Sequence, residues 1–411
     1  MKTLSALLAT CLLGVAGLSP DVAASAAPAK EPSAAPVLDW SRIATQSIVA
    51  GGRPPASSEV LMGVVHVAIA DTVAALGYGR TFVADVRPDQ RASAASAVAT
   101  ATYDVLKARA PGASLETTYA DYLAGVPDGK AKARGIALGR AVAAAVLAWR
   151  AGDGFGNQVT YVQRPPGPGV WEQTAPTPPV DLVLTQVRPL TLRSRAQFRP
   201  HGPDPLSSKR YARDVAEVAE VGRKDSTTRT AVQTESAMFW TEHAAQQWSR
   251  TLLRLASERE LSLPEAARML ALVHVSAGDA LIACWEAKYR YRFWRPVHAI
   301  QRADTDGNPR TTADPAWQPL LAANHPDYPS GHACFTGAAT TALRSYFRTD
   351  RLPVTIDSQV TSTTRTYSSL TAVRHDVQEA RIFSGLHFRH AMEDGEHLGA
   401  TVAEWATQRL R

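Results

Sequence analysis

Three clusters in the C-terminal half of the chain combine fixed positive charge with groups that move protons. The first, CWEAKYRYRFWRP (residues 284–296), places Lys288 and Arg295 seven residues apart. Seven residues is about two helical turns, so both cations can leave one helix face, and Pro296 biases Arg295 out of helical geometry. The second, HPDYPSGHACF (residues 325–335), stiffens its approach with Pro326 and Pro329 and then presents Ser330, Gly331 and His332 at the start of an apolar helix. Free N–H groups at a helix start attract an oxyanion, a serine hydroxyl adds a donor, and an imidazole exchanges protons near neutral pH. The third, ARIFSGLHFRHAMEDGEHLG (residues 380–399), holds Arg381 and His387 six residues apart. That spacing is about 600° around a continuous helix, so the two converge only if the helix breaks near Gly385. The chemistry in common is capture of an oxyanion beside a proton carrier.

Each cluster also has a plain structural use. Lys288 and Arg295 can snorkel from a packed helix, Ser330 can be an N-cap ahead of a core histidine, and His325 can be a surface-loop histidine. His387, His390, Ala391 and Asp394 form an alternative stripe for a divalent metal, but no third ligand cluster has the usual zinc spacing. Asp279, nine residues before Lys288, is either a helix-surface carboxylate or a buried acid orienting His332 or Arg381.

The elements that must position these groups are helical. Apolar residues recur at helical spacing over 60–75, 92–108 and 130–150, and again over 209–221, 234–258, 263–294, 332–347, 373–386 and 394–410. Strand-like alternation is confined to 352–363. Ten prolines between 164 and 206 exclude regular helix there and predict an ordered wrap across the surface or between the halves. The expected architecture is all-α with bundle-like packing. The N-terminus reads as a signal peptide over 1–26: Lys2, an apolar run from Leu4 to Leu18, and Ala24-Ser25-Ala26 at the cleavage site. A lipoprotein reading through Cys11 fails because that cysteine sits too early and follows threonine. A flexible linker is expected over 27–39, then an N-terminal helical region over 40–163, the Pro-rich connection over 164–206 and a C-terminal helical region over 207–411, with 40–411 as one compact unit. After the leader, no stretch reads as a membrane span, and the expectation is an exported, soluble protein, secreted or periplasmic. A net charge of +6 with dispersed basic residues argues against nucleic-acid binding. Cys284 and Cys334 leave one bridge open but no disulfide scaffold.

Taken together, Lys288-x6-Arg295-Pro296, Pro329-Ser330-Gly331-His332 and Arg381-x5-His387 resemble the three-part signature shared by vanadium-dependent haloperoxidases and type-2 phosphatidic acid phosphatases. The segments WEAKYRYRFWRPVHAI, PGVWEQT, QFRP and RIFSGLHFR look more like the exported bacterial haloperoxidases. The resemblance implies a helical bundle of the haloperoxidase and acid-phosphatase type, with vanadate as cofactor and phosphate able to occupy the same site. It implies that Lys288, Arg295 and Arg381 neutralise the oxyanion, that Ser330 and the Gly331 amide donate to it, and that His387 binds the metal. His332 would be the acid–base residue and Lys288 would polarise the peroxide. The implied partners are hydrogen peroxide, a halide and at most a small organic acceptor. Ala380 and Ala391 depart from the phosphatase pattern and leave the partner of His387 open, with Glu393 or Asp394 as candidates. An exported acid phosphatase with His387 as nucleophile is the alternative. Resemblance also places His325 and Trp285 on the halide side. In the family the His325 position is often histidine in bromide-oxidising and phenylalanine in chloride-oxidising enzymes, which implies bromide or iodide over chloride.

Overall fold

The computed structural model describes residues 32–410, so the expected signal peptide and the first part of the expected linker lie outside the described residues. Residues 33–411 form one compact unit. The linker expectation is wrong over 35–39. Helix α1 (Ala35–Ala50) already starts there, with Pro36 in its first turn and Val37 and Trp40 fully buried. A proline is tolerated in a first turn because its missing N–H would have no helical partner anyway.

Two helices make the centre. Helix α2 (Pro55–Ala75) and the later α9 (Leu263–Tyr291) are buried on nearly every face, and they pack against each other. By length and composition both could cross a membrane, contrary to the sequence expectation, but 94% of each apolar window lies inside the protein. Core helices covered on all sides need no polar face. Helices α3 (Ala94–Arg109), α4 (Leu115–Ala124) and α5 (Lys130–Trp149) complete the N-terminal layer, α3 packing on α1, α2 and α5.

The region read as one helix over 234–258 is two, α7 (Ala231–Phe239) and α8 (Ala244–Glu258), after α6 (Lys209–Val221). Helix α9 opens with a Ser262–Glu265 capping box and ends at Tyr291, where Arg292 turns left-handed (φ 53°). Arg295 is extended (φ −80°, ψ 160°) and precedes the short α10 (Pro296–Gln301). Lys288 and Arg295 therefore do not share a helix face, because the helix ends between them. Helix α11 (Gly331–Phe347) and α13 (Arg389–Arg409) pack on α9 and on each other, with α12 (Leu370–Phe383) beside α11. The predicted strand is the first arm of a hairpin, β1 (Val354–Ser358) antiparallel to β2 (Thr363–Tyr367).

The Pro-rich segment contains one 3₁₀ turn, Leu182–Thr185, and otherwise wraps irregularly over α9. Asp279 explains how it is held. Its carboxylate, fully buried on α9, accepts from the N–H groups of Leu190 (2.6 Å), Thr191 (2.7 Å) and Leu192 (3.2 Å) and from the Thr191 hydroxyl (2.6 Å). Burial pushes its pKa up while these donors pull it down. Asp279 thus orients neither His332 nor Arg381, and it is not a surface carboxylate. Replacing it with alanine strands three N–H groups, and the expected loss is about 3 kcal/mol in a denaturant titration.

Candidate oxyanion site

The site is assembled from the end of α9, the 324–331 turn, the start of α11, the gap between α7 and α8, and the α12–α13 junction. Lys288 is fully buried on α9, and its ammonium donates to the carbonyl oxygens of Pro326 (2.9 Å) and Asp327 (3.0 Å). Arg295, 2% exposed, donates to the carbonyls of His325 and Leu386 (2.7 Å each). Arg381, 5% exposed, donates from one terminal nitrogen to the Trp240 carbonyl (3.1 Å), while its Nε has no partner. That carbonyl is available because α7 stops at Phe239, and the last carbonyls of a helix lack helical partners.

Among the described residues none of these three cations has a carboxylate within salt-bridge distance. Every carbonyl that holds them is neutral. Burial lowers the Lys288 pKa to about 8, with Arg295 adding repulsion, and lowers Arg295 to about 10 and Arg381 to about 9. Isolating a cation from water costs several kcal/mol unless an anion meets it. Three of them around one space define an anion site.

The second motif supplies donors to the same space. Ser330 stands at the N-cap position of α11, yet its hydroxyl caps nothing and is a buried atom with no partner. The cis Tyr328–Pro329 bond immediately precedes it. Gly331 is required by a close approach: a Cβ would meet the Trp285 ring at 2.9 Å and lie 4.0 Å from the Lys288 Cε. His332 is half-buried rather than a core histidine. Burial, then Arg381, Lys288 and Arg295, hold its pKa well below the ordinary range, against a hydrogen bond to the Trp240 backbone that raises it.

The helix break needed in the third motif is present. Helix α12 ends at Phe383, Gly385 takes φ 73°, and α13 begins at Arg389. This turn brings His387 against Arg295, with its Nε2 3.2 Å from the guanidinium. Its Nδ1 lies 2.7 Å from Oδ1 of Asp327. A carboxylate at Nδ1 fixes the tautomer with the proton on Nδ1, leaving the Nε2 lone pair for a ligand. Asp327, fully buried, has its pKa raised by burial to about 6 against the pull of Arg295, His390 and Lys288.

The partner of His387 is therefore Asp327 and neither proposed acid. Glu393 pairs with Arg210, and Asp394 accepts the Tyr328 hydroxyl (2.6 Å). Asp327 lay inside the quoted turn, five residues before His332, and its fixed position beside Pro326 was the available signal. The alternative metal stripe does not form, because His387 turns to Asp327 while His390 pairs with Asp214 (2.7 Å). His390, Asp214 and Asp204 lie close enough to group around a cation, with no ion present. His325 is no surface-loop residue. Its ring lies 5.4 Å from that of Trp285 and takes a 2.9 Å hydrogen bond at Nδ1 from Arg295. Lys288 sits 5.6 Å over the Trp285 ring, whose Nε1 is anchored to the Val180 carbonyl. Cys284 and Cys334 are both free and buried. A cavity of about 290 Å³, lined by Arg295, Leu386, His298 and residues 321–323, reaches the arginine side of the site.

The residues fit an oxyanion such as vanadate on three observations: unpaired cations, the orphaned Ser330 hydroxyl and Arg381 Nε, and the cradle at Gly331. Comparison with known proteins places this helical architecture beside solved vanadium haloperoxidases. Residues 268–411 match the family described as the VCPO second helical-bundle domain. The vanadium chloroperoxidase of Curvularia inaequalis is 29% identical over 150 residues. That match covers 30% of this chain and 24% of the relative, so the chain spans about a quarter of that relative's length. A crystal structure of a bacterial vanadium-dependent iodoperoxidase superposes with a TM-score of 0.78 at 21% identity, covering 92% of this chain and 97% of the other. A bacterial vanadium-dependent chloroperoxidase in its apo form gives 0.70 at 17% identity, covering 87% and 95%. Residues 268–411 thus match a vanadium chloroperoxidase helical-bundle domain, and the described chain shares the fold of the solved bacterial vanadium haloperoxidases.

The sign of the pH dependence follows from Lys288. In the anion-free protein its ammonium is intact below about 8 and is lost above it. Affinity for sulfate, which stays ionised throughout, should be flat below that pH and fall up to about tenfold per pH unit above it. Stability of the anion-free protein should move the other way. The folded chain binds fewer protons than the unfolded one between about 8 and the ordinary lysine value of 10.5, so stability rises with pH across that window. Calorimetric titration and thermal melts from pH 6 upward check both signs.

Proposed function

We propose that the protein is a vanadate-dependent haloperoxidase that oxidises a halide with hydrogen peroxide to a hypohalous acid equivalent. The observation that carries this reading is the set of buried cations with no carboxylate partner among the described residues, gathered around His387, whose Nε2 faces the Arg295 guanidinium while its Nδ1 is held by Asp327. Lys288, Arg295, Arg381, Ser330 and the Gly331 amide would hold vanadate, and His387 would ligate it. When bound, vanadate supplies Lewis-acid activation of hydrogen peroxide with no change in its own oxidation state. The remaining work belongs to the protein. Asp327 keeps the proton of His387 on Nδ1, and its main-chain carbonyl helps to hold the Lys288 ammonium in place. Overall, halide, peroxide and one proton give hypohalous acid and water. His332 is suited to carry that proton. Burial, and then the neighbouring cations, lower its pKa in the free site, and a bound anion opposes the push of those cations and raises it. The leader-like sequence of residues 1–26 supports export, and the reaction would then run outside the cytoplasm.

The test is a halide-oxidation assay with and without added vanadate, run beside hydrolysis of an aryl phosphate. Vanadate-dependent bromination of a phenolic dye is expected, and His332→Ala should lower turnover about 10²–10⁴-fold while sparing most of the vanadate affinity. Steady phosphate-ester hydrolysis with no bromination would replace this reading with that of a phosphatase.

Halide choice is the finer part of the proposal, with bromide or iodide preferred to chloride. His325 and Trp285 support it: the two rings, tilted at 38° to each other, form the wall beside Lys288 and Arg295, where a halide would approach. His325→Phe removes the acceptor for Arg295 and should shift the bromide-to-chloride ratio of kcat/KM by about tenfold, since one lost charge-assisted hydrogen bond is worth 1.5–3 kcal/mol. An unchanged ratio would count against the assignment.

A further inference from the structure

We infer a second anion-binding site, separate from the cage, in a cleft of about 750 Å³ between residues 159–162, residues 182–199 and the end of α9. Six arginines line it: Arg188, Arg193, Arg195, Arg199, Arg290 and Arg292. The only carboxylate in its wall is Glu286, which pairs with Arg199. The wall carries a formal +5, beside +6 for the whole chain, so the rest of the molecule is nearly neutral. A concentration of that kind is unusual on a surface where charges normally intersperse, and a concave wall focuses its field on a ligand.

Three of the other five arginines are also held in place without being neutralised. Arg188 donates to the Trp149 carbonyl and Arg195 to the Gln186 carbonyl (3.0 Å). Arg292 donates to the carbonyls of Tyr289 and Val162 (3.0 Å each). Backbone carbonyls fix guanidinium geometry and leave the positive charge available. Arg193 lies over the Trp405 ring at 5.1 Å, and Arg290 is exposed with no partner among the described residues. Tyr289, stacked edge-on against Tyr161 (6.0 Å), gives the cleft an apolar wall.

The cleft and the cage use different faces of one helix. Glu286, Tyr289 and Arg290 face the cleft, while Trp285 and Lys288 face the cage, and neighbouring residues on a helix are about 100° apart. The assignment is therefore independent of the reaction proposed above. Guanidinium forks match phosphate and sulfate oxygens, and several forks across one opening suit an anion with several such groups rather than a single small ion. The ligand class is a compact, multiply charged phosphate- or sulfate-bearing anion; the cleft volume lies in the usual range for a small-molecule site.

The experiment is calorimetric titration of the full chain with inorganic tripolyphosphate and, separately, with sucrose octasulfate. Both are run at physiological salt with excess orthophosphate filling the cage. A Kd below about 100 µM for at least one probe is expected, weakening as salt rises, and the stronger probe identifies the phosphate or the sulfate source. The triple variant Arg188→Gln/Arg195→Gln/Arg290→Gln should bind at least about tenfold more weakly, with vanadate affinity of the cage unchanged. Should that variant fold poorly, Arg290→Glu alone, at an exposed position without partners, should weaken binding about fivefold or more. Binding weaker than about 1 mM for both probes, or equal binding by wild type and folded variants, would overturn the assignment.

Discussion

Three buried cations that have no carboxylate partner among the described residues set the terms for the rest of the C-terminal half. Lys288, Arg295 and Arg381 are each held by main-chain carbonyls, from Pro326 and Asp327, from His325 and Leu386, and from Trp240. Carbonyl dipoles offset part of the desolvation cost without cancelling charge, so the deficit is left for a bound anion to remove. This explains why the surrounding chain is so irregular. Every one of those carbonyls must be free of secondary-structure bonding, and all of them lie where a helix has stopped or in the turn before α11.

Asp327 is where two parts of the site meet. Its backbone oxygen helps to hold Lys288, and its carboxylate sets the tautomer of His387. The carboxylate's second oxygen is a buried atom with no partner, and its charge is supported by Arg295, His390 and Lys288 in turn. A cation cluster and a single acid thus stabilise one another. Loss of charge at either would be felt at the other, because low surrounding polarity transmits such terms strongly.

The helical class, the broad placement of most helices and the make-up of the three motifs were legible in the sequence. Helical spacing of alanine and branched residues marks α2, α3, α5, α9, α11 and α13 directly. Helix α1 was lost to its Ala/Pro composition, which looks like a linker until Val37 and Trp40 are seen in the core. The break between α7 and α8 was also lost, since no glycine or proline marks it. Yet that break frees the Trp240 carbonyl for Arg381. Asp279 was noticed for its place in an apolar helix but given the wrong partners, because the backbone it holds lies 87–89 residues away.

What the residues and their spacing determined alone is local: the turn before α11, the need for a glycine ahead of His332, the break at Gly385 and the stock of cations and imidazoles. Such features depend on dihedral limits and on neighbours within a few positions. Only the tertiary structure decided which carbonyls hold the cations, that Asp327 serves His387, and that Asp279 ties down the proline-rich wrap. These pairings join segments up to 141 residues apart. They are selected by burial, which makes every polar group find a partner, and burial is a property of the packed whole rather than of any stretch of chain.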